Sequence, residues 1–525
     1  MRCPASLPAR QTVRALLCSL ALLWLLAIAA TTASASEQAT VQTASGQLQG
    51  SLADGLVVYR GIPYARPPVG PLRWQAPQPL PAWPGLRQAV ANGAACMQKP
   101  GPSLEGGGDP GPLSEDCLFL NVWVPAGPGP HPVLVWLHGG ALVLGAGSLD
   151  IYDGSALARQ GLVVVTVNYR LGALGYFNHP ALEARAPGGA MNFGLLDQIA
   201  ALRWVQRHIA AFGGDPRQVT VAGQSAGAQS VLALAASPLA KGLFQRAIAQ
   251  SPYGIPSHSR TQARAVGVKL ATAVGLPGAS ASLAQLRRVP AQRLVGLDGP
   301  GLSLAPSLIV GDAAMPQALL PAFQAGRQAA VPLLIGSNSD EASVALAFGL
   351  QPAALVKQLG AARILVGPLY PGVTDDAELG RQVVRDVAFT AFARRIAVLQ
   401  SRRAPVWRYH FDRLPEAARA TQPGVAHGGE VPAVFGTGDL CQCLAVPLND
   451  ADRQAWQGLA RRWVAFARGG PPDTPAGPAW PADSRWQPVV LRFGETEVVE
   501  PDFMRQRLDT LVAGLALAGW FAGGR

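Results

Sequence analysis

The clearest signal along the chain is a set of continuous apolar runs. Val133-Leu-Val-Trp-Leu137 and Leu162-Val-Val-Val-Thr-Val-Asn-Tyr169 show almost no polar alternation, the pattern of strands buried on both faces. The period then changes. Leu195, Ile199, Leu202 and Ile209 recur at helical spacing, and the pattern stops at Phe212-Gly-Gly-Asp-Pro216, a cluster of chain-breaking residues. A short strand over residues 218–222 runs straight into Gly223-Gln-Ser-Ala-Gly227 and an Ala/Leu-rich helix. Further strands are expected at 331–335, 406–411 and 489–493. Strands alternating with helices predict an α/β fold: a central, mostly parallel sheet with helices on both faces and long insertions. In such folds, sites collect at the carboxyl ends of the strands.

The ends of the chain follow other rules. Arg2, Arg10 and Arg14 precede an apolar run over residues 15–30, and Ala33-Ser34-Ala35 follows it. This is the order of a secretory leader, with cleavage after Ala35 and a mature domain at 36–525 that is secreted or periplasmic. The run is almost long enough for a membrane anchor; the small residues after it favour cleavage. Residues 511–522 are also apolar but too few to cross a bilayer, so a packed terminal helix is expected and no stable membrane span.

Charge narrows the partners. The chain of 525 residues carries a formal net charge of +11, scattered and dominated by arginine. Without a Lys/Arg block or interleaved aromatic residues it does not read as a nucleic-acid binder. Six cysteines are present, and Cys3 and Cys18 leave with the leader. In an oxidising compartment Cys96 and Cys117 can close a loop of glycines, prolines and polar residues. The C-x-C pair Cys441 and Cys443 reads either as two thiols or as a strained disulfide.

A single G-x-S-x-G is weak evidence in a chain with 59 glycines. Here it stands between an expected strand and an expected helix, where a sharp turn lifts the serine hydroxyl out of the sheet. That makes Ser225 the candidate nucleophile. A serine hydroxyl needs a base within hydrogen-bond reach, and in this arrangement the acid and the histidine follow the serine along the chain. Of seven histidines, His131, His138, His179 and His208 precede Ser225, His258 follows too closely, and His410 alternates within a strand. His427 remains, in a glycine-containing loop after that strand. For the acid, Gly336-Ser-Asn-Ser-Asp340-Glu341 offers two carboxylates, and the residues alone divide the role evenly between Asp340 and Glu341. Its work is to fix the histidine tautomer and hold the imidazolium that forms. After the strand ending at Leu137, His138-Gly139-Gly140-Ala141 lets backbone amides converge on a developing oxyanion, joined by the amide of Ala226. His138 itself is expected to be structural.

Taken together, these motifs resemble the type-B carboxylesterase family, which also holds the cholinesterases and para-nitrobenzyl esterases. The resemblance runs from Arg60-Gly-Ile-Pro-Tyr-Ala65 through Glu115-Asp-Cys-Leu-Phe-Leu-Asn-Val122, Asn168-Tyr-Arg-Leu-Gly172 and Gly194-Leu-Leu-Asp-Gln198 to Trp463-Val-Ala-Phe-Ala467. It covers nearly the whole mature chain. It implies an α/β-hydrolase fold in a single catalytic domain with helical insertions. It also implies Glu341 rather than Asp340 as the acid, an oxyanion hole of Gly140, Ala141 and Ala226, and a Cys96 to Cys117 disulfide. The implied activity is hydrolysis of small to medium carboxylic esters through an acyl-enzyme, acting on a small-molecule substrate with no metal or organic cofactor. A lipase or amidase of the same fold, and a non-catalytic cholinesterase-like binding protein, are the competing readings; such binding proteins have lost the serine that this chain keeps. Departures are local. Ala342 stands where the family has glycine, Leu142 where phenylalanine is common, and Ala141 where a third glycine is common, which predicts crowding against esters of tertiary alcohols. No aromatic residue lies between Cys96 and Cys117, and Gln224 stands where cholinesterases carry glutamate. Choline esters, which need an aromatic face for their cation, are therefore not expected as preferred substrates.

Overall fold

The computed structural model describes residues 38–99, 108–297, 307–347, 349–358, 360, 363–441 and 443–517. The expected leader, residues 1–35, lies outside them. Twelve strands run across one sheet: β1 (Gln38–Thr43), β2 (Gly46–Ala53), β3 (Leu56–Pro63), β4 (Phe119–Val124), β5 (His131–Leu137), β6 (Val163–Val167), β7 (Gly214–Gln224), β8 (Arg246–Gln250), β9 (Leu333–Asn338), β10 (Val406–Phe411), β11 (Val489–Phe493) and β12 (Glu497–Pro501). Their order is β1-β2-β3-β4-β6-β5-β7-β8-β9-β10-β11-β12, and Leu86–Gln88 pairs beside β2 as a thirteenth. From β6 to β11 every neighbour is parallel; the antiparallel pairs lie toward the two edges.

Side-chain alternation explains why the central strands read as unbroken apolar runs. Val133, Val135 and Leu137 of β5 pack into one core, together with Leu195 and Leu202 of α1 (Phe193–His208) and Val231 of α2 (Ala226–Ala236). The same core takes Ile396 of α3 (Ala391–Gln400). Leu134 and Trp136 point the other way, into a core with Phe435 and with Trp456, Trp463 and Phe466 of α4 (Asp450–Ala467). Helices thus cover both faces, and polar alternation has no place in the middle of the sheet.

The structure departs from the sequence expectations at three places. β7 starts at Gly214, inside the expected breaker cluster, because Gly214 pairs with His131 before the register shifts and resumes at Val219. β9 continues to Asn338, three residues past the expected end. The C-terminal helix α5 (Arg505–Leu517) begins before the apolar stretch and buries Leu508 and Leu511 against Ala391. Among the described residues, no helix is long and apolar enough to cross a membrane.

Candidate active site

β7 and α2 meet at Ser225 with no intervening loop. The serine backbone takes φ 56° and ψ −120°, a region that costs a non-glycine residue on the order of 1–3 kcal/mol and persists only where the surroundings enforce it. Two neighbours enforce it. The Ser225 amide donates to the Gln250 carbonyl at the end of β8 (2.8 Å). Gly227 presses against the end of β5 so closely that a Cβ there would lie 2.0 Å from the Leu137 carbonyl oxygen. The glycine at 227 is thus required by close approach, and that approach sets the N-terminus of α2 beside His138-Gly139-Gly140.

His427 and Glu341 meet at the same end of the sheet. His427 Nδ1 is hydrogen-bonded to Glu341 Oε2, with the glutamate fully buried. The other carboxylate oxygen accepts from Ser251 Oγ (2.6 Å) and from the Asn338 amide (2.6 Å), so both oxygens are fixed and the imidazole is held in one orientation. On the far side of the ring, Gln224 Nε2 lies 3.2 Å from His427 Nε2; Gln224 is the residue before Ser225, so this contact brings the histidine to the serine's turn. Phe389, in a π-helical turn over Asp386–Thr390, packs on the imidazole with ring centroids 5.0 Å apart. Asp340 goes elsewhere. Its amide bonds the Val425 carbonyl and Ser343 Oγ links its carbonyl to the His427 amide. Its carboxylate faces Arg381 at 3.9 Å, and burial pushes it up to about 6. Of the two candidate acids, Glu341 is the one that reaches the histidine.

The loop after β5 is supported from below by the motif residues that carry the family resemblance. Gly140, Ala141 and Leu142 have φ of 98°, 54° and 62°, a tight turn that follows the Leu137 and His138 carbonyls against which Gly227 of α2 packs. The first-turn amides of a helix, here that of Ala226, have no acceptor within the helix. Tyr169 Oη donates to the His138 carbonyl (2.7 Å) and the Gly172 amide to the Leu142 carbonyl (2.7 Å). Arg170 is fixed in turn by a buried fork to Asp197, both bonds 2.7 Å. His138 is buried, stacked on Tyr169 at 4.4 Å, and burial lowers it to about 4, so it stays neutral near pH 7. Cys96 and Cys117 are joined by a disulfide (S–S 2.05 Å), and Cys441 and Cys443 are also paired.

Four residues of this region carry no signal in the sequence reading: Gln250, Ser251, Asn338 and Glu430. All four are buried and polar, and each is recognisable only from partners distant in the chain. Asn338 stands within the segment 336–341 and Glu430 three residues after His427, but neither position by itself marks a role. Behind the site, a cavity of about 310 Å³ is lined by Asp340, Arg381, Arg385, His410 and Arg492 among others. Neither Ser225, Glu341 nor His427 lines it, and its guanidinium groups are paired with carboxylates. Among the described residues, no group of three or more His, Cys, Asp or Glu is placed to hold a metal ion.

A parallel sheet flanked by helices, with a serine on a strained strand-to-helix turn and a Glu–His pair on later strand ends, defines the α/β-hydrolase class. Within it, the chain belongs to the carboxylesterase family, whose model matches residues 37–363 and 376–510. The para-nitrobenzyl esterase of Bacillus subtilis (strain 168) is 37% identical over 460 residues, covering 84% of this chain and 92% of that enzyme. The fumonisin B1 esterase of Sphingopyxis macrogoltabida is 35% identical over 479 residues, 86% of each chain. Among solved structures, a PNB esterase aligns with a TM-score of 0.77 at 34% identity, covering 89% of this chain and 99% of that one. A Geobacillus stearothermophilus carboxylesterase gives 0.77 at 32% identity, covering 90% and 99%. The protein is a carboxylic-ester hydrolase of this family.

Proposed function

We propose that Ser225 is the nucleophile, His427 its general base and Glu341 the acid that orients the base, in hydrolysis of small to medium carboxylic esters. The observation that carries this reading is the line of contacts from Glu341 through the His427 ring to the residue adjoining Ser225, joining the segments after β9 and β10 to the end of β7. His427 Nε2 takes the Ser225 proton as Oγ bonds to the ester carbonyl carbon. The carbonyl π electrons move to oxygen, where the amides of Gly140, Ala141 and Ala226 receive the charge. The intermediate collapses, the C–O bond to the alcohol breaks, and the imidazolium returns its proton to the leaving alkoxide. Water, deprotonated by the same histidine, attacks the acyl-serine and releases the acid and the free hydroxyl. The Arg-flanked apolar leader and the Cys96–Cys117 disulfide support a secreted or periplasmic location.

The test is hydrolysis of p-nitrophenyl esters from acetate to palmitate by the mature protein beside its Ser225→Ala variant. Turnover of the shorter esters, abolished by the substitution, is expected. Wild-type-level turnover by Ser225→Ala would refute the nucleophile assignment, and activity confined to long chains above their solubility would replace the esterase reading with a lipase. N-terminal mass analysis of exported protein is expected to begin at Ser36.

A further inference from the structure

Glu430 is a fully buried carboxylate at this end of the sheet that the reaction above leaves without a role. Its Oε1 accepts from Gln250 Nε2 (3.0 Å) and its Oε2 from Asn338 Nδ2 (2.5 Å); among the described residues no cation pairs with it. Both partners lead onward. The Gln250 carbonyl accepts the Ser225 amide (2.8 Å) and its side-chain oxygen accepts from Trp463 Nε1 (2.9 Å). The Asn338 amide donates to Glu341 (2.6 Å), and its side chain donates to the carbonyl of Ala426, next to the histidine (2.9 Å). From one carboxylate, two hydrogen bonds therefore reach the turn of the nucleophile, the acid and the loop of the base. Tethers from side chains held in a buried network resist displacement more than loop backbone alone does.

We propose that Glu430 is a positioning residue with an electrostatic share in the reaction: it ties the three strand ends together and adds a second negative charge behind Glu341 that favours the imidazolium form of His427. Asn338, hydrogen-bonded to both glutamates, spaces the two carboxylates. In the resting site they repel each other; when His427 takes the serine proton, the new positive charge attracts both. The titratable groups that face Glu430 are Glu341, His427 at the far side of Glu341, and the Tyr409 phenol on β10, which burial first, and then the two carboxylates, hold in its neutral form. Burial and the neighbouring Glu341 charge push Glu430 up to about 6, so its charge is present at neutral pH and is lost as the pH falls through that value. Removing the charge by mutation mimics the acid form.

This inference rests on the triad reading, which Ser225→Ala tests by itself; the variants below keep the triad and are read against wild type. Glu430→Gln keeps the size and one of the two accepting oxygens, turns an NH2 toward the second donor and removes the charge. Its kcat on p-nitrophenyl butyrate is expected to fall about 10- to 100-fold with KM within about twofold, and the acidic limb of its kcat/KM profile is expected to move to lower pH by about half a unit or more, because the histidine loses a charge that favours its protonated form. Glu430→Asp, which keeps the charge on a shorter arm, is expected to restore the wild-type limb while kcat stays reduced. Wild-type kcat in Glu430→Gln overturns the proposal. So does a lowered kcat with an unmoved acidic limb, the signature of a merely structural tether. Should Glu430→Gln fail to fold, Glu430→Asp carries the test alone: a limb displaced from wild type, with the charge retained, overturns the electrostatic share.

Discussion

Replacing Gly227 with alanine adds one methyl group at a point where the structure has no space for it. The new Cβ would lie 2.0 Å from the Leu137 carbonyl oxygen and 2.8 Å from that of His138, whereas ordinary contacts begin near 3.4 Å. Both obstacles are backbone, so no side chain can swing away, and α2 must withdraw from the end of β5 by about 1 Å or more. Ser225 and the Ala226 amide ride on that helix while Gly140 and Ala141 ride on the strand, so the withdrawal opens the distance between the nucleophile and the proposed oxyanion donors. A displacement of about 1 Å in a reacting group costs on the order of 10² in rate, or about 2.7 kcal/mol of transition-state stabilisation. Overpacking also destabilises the fold by about 1–3 kcal/mol. The assay is kcat/KM on p-nitrophenyl butyrate, normalised to sites titrated with a fluorophosphonate, with Tm recorded in parallel. Gly514→Ala is the control: it lies in α5 with nothing within 4 Å of its Cβ, and alanine there raises helix propensity, so activity is unchanged and Tm is equal or higher. Gly227→Ala with kcat/KM within threefold of wild type per titrated site would refute the claim that this close approach sets the geometry.

The two neighbouring acids give a second test: Glu341→Gln should lower kcat on the order of 10³- to 10⁴-fold by losing the charge and tautomer control at His427 Nδ1, whereas Asp340→Asn, whose carboxylate faces Arg381, should change it less than about threefold; equal losses would sink the assignment. Gln224→Glu places a carboxylate where an amide now meets His427 Nε2, and since that charge favours the imidazolium, the acidic limb of kcat/KM should rise by about one pH unit; an unmoved limb would show that the contact does not exist in solution. Converting Cys96 and Cys117 to serine opens a loop spanning 21 positions, with an expected loss of about 3 kcal/mol, read as a lower denaturant midpoint at unchanged kcat; an unchanged midpoint would mean the bridge contributes nothing.

The central sheet was legible because strands covered on both faces need no polar alternation, and β5 and β6 stand out as apolar runs. The edges were not. β2 reads Gly46-Gln-Leu-Gln-Gly-Ser-Leu-Ala53, small and polar, and becomes a strand only through its neighbours β1 and β3. The end of β9 was hidden for a related reason: Gly336-Ser-Asn338 looks like a turn, yet Ser337 and Asn338 are buried and bonded to Thr390, Glu430 and Ala426, so tertiary partners override local propensity. Ser225 and His427 were picked out by motif and chain order. The residues alone left Asp340 and Glu341 even, since one position decides which way a side chain leaves a turn and only the family resemblance or the structure supplies that direction. Glu430 is one acid among many in the sequence; its partner Gln250 lies 180 positions away, and no local pattern marks a pair so distant.

The contact that brings the histidine to the serine's turn joins residues 203 positions apart, and the chain delivers the serine first. During synthesis Ser225 emerges with β7 and α2 complete, but its proposed base lies on the loop between β10 and α4, beyond three more strands of the sheet. Contacts of such long range form only after the intervening segments have paired. Without that base, the proposed nucleophile Ser225 has the reactivity of an ordinary alcohol. On the proposed triad, hydrolytic power requires β9 and β10 in place beside β8, so the appearance of activity in a refolding experiment is expected to report assembly of the far half of the sheet rather than folding of the segment that carries the serine.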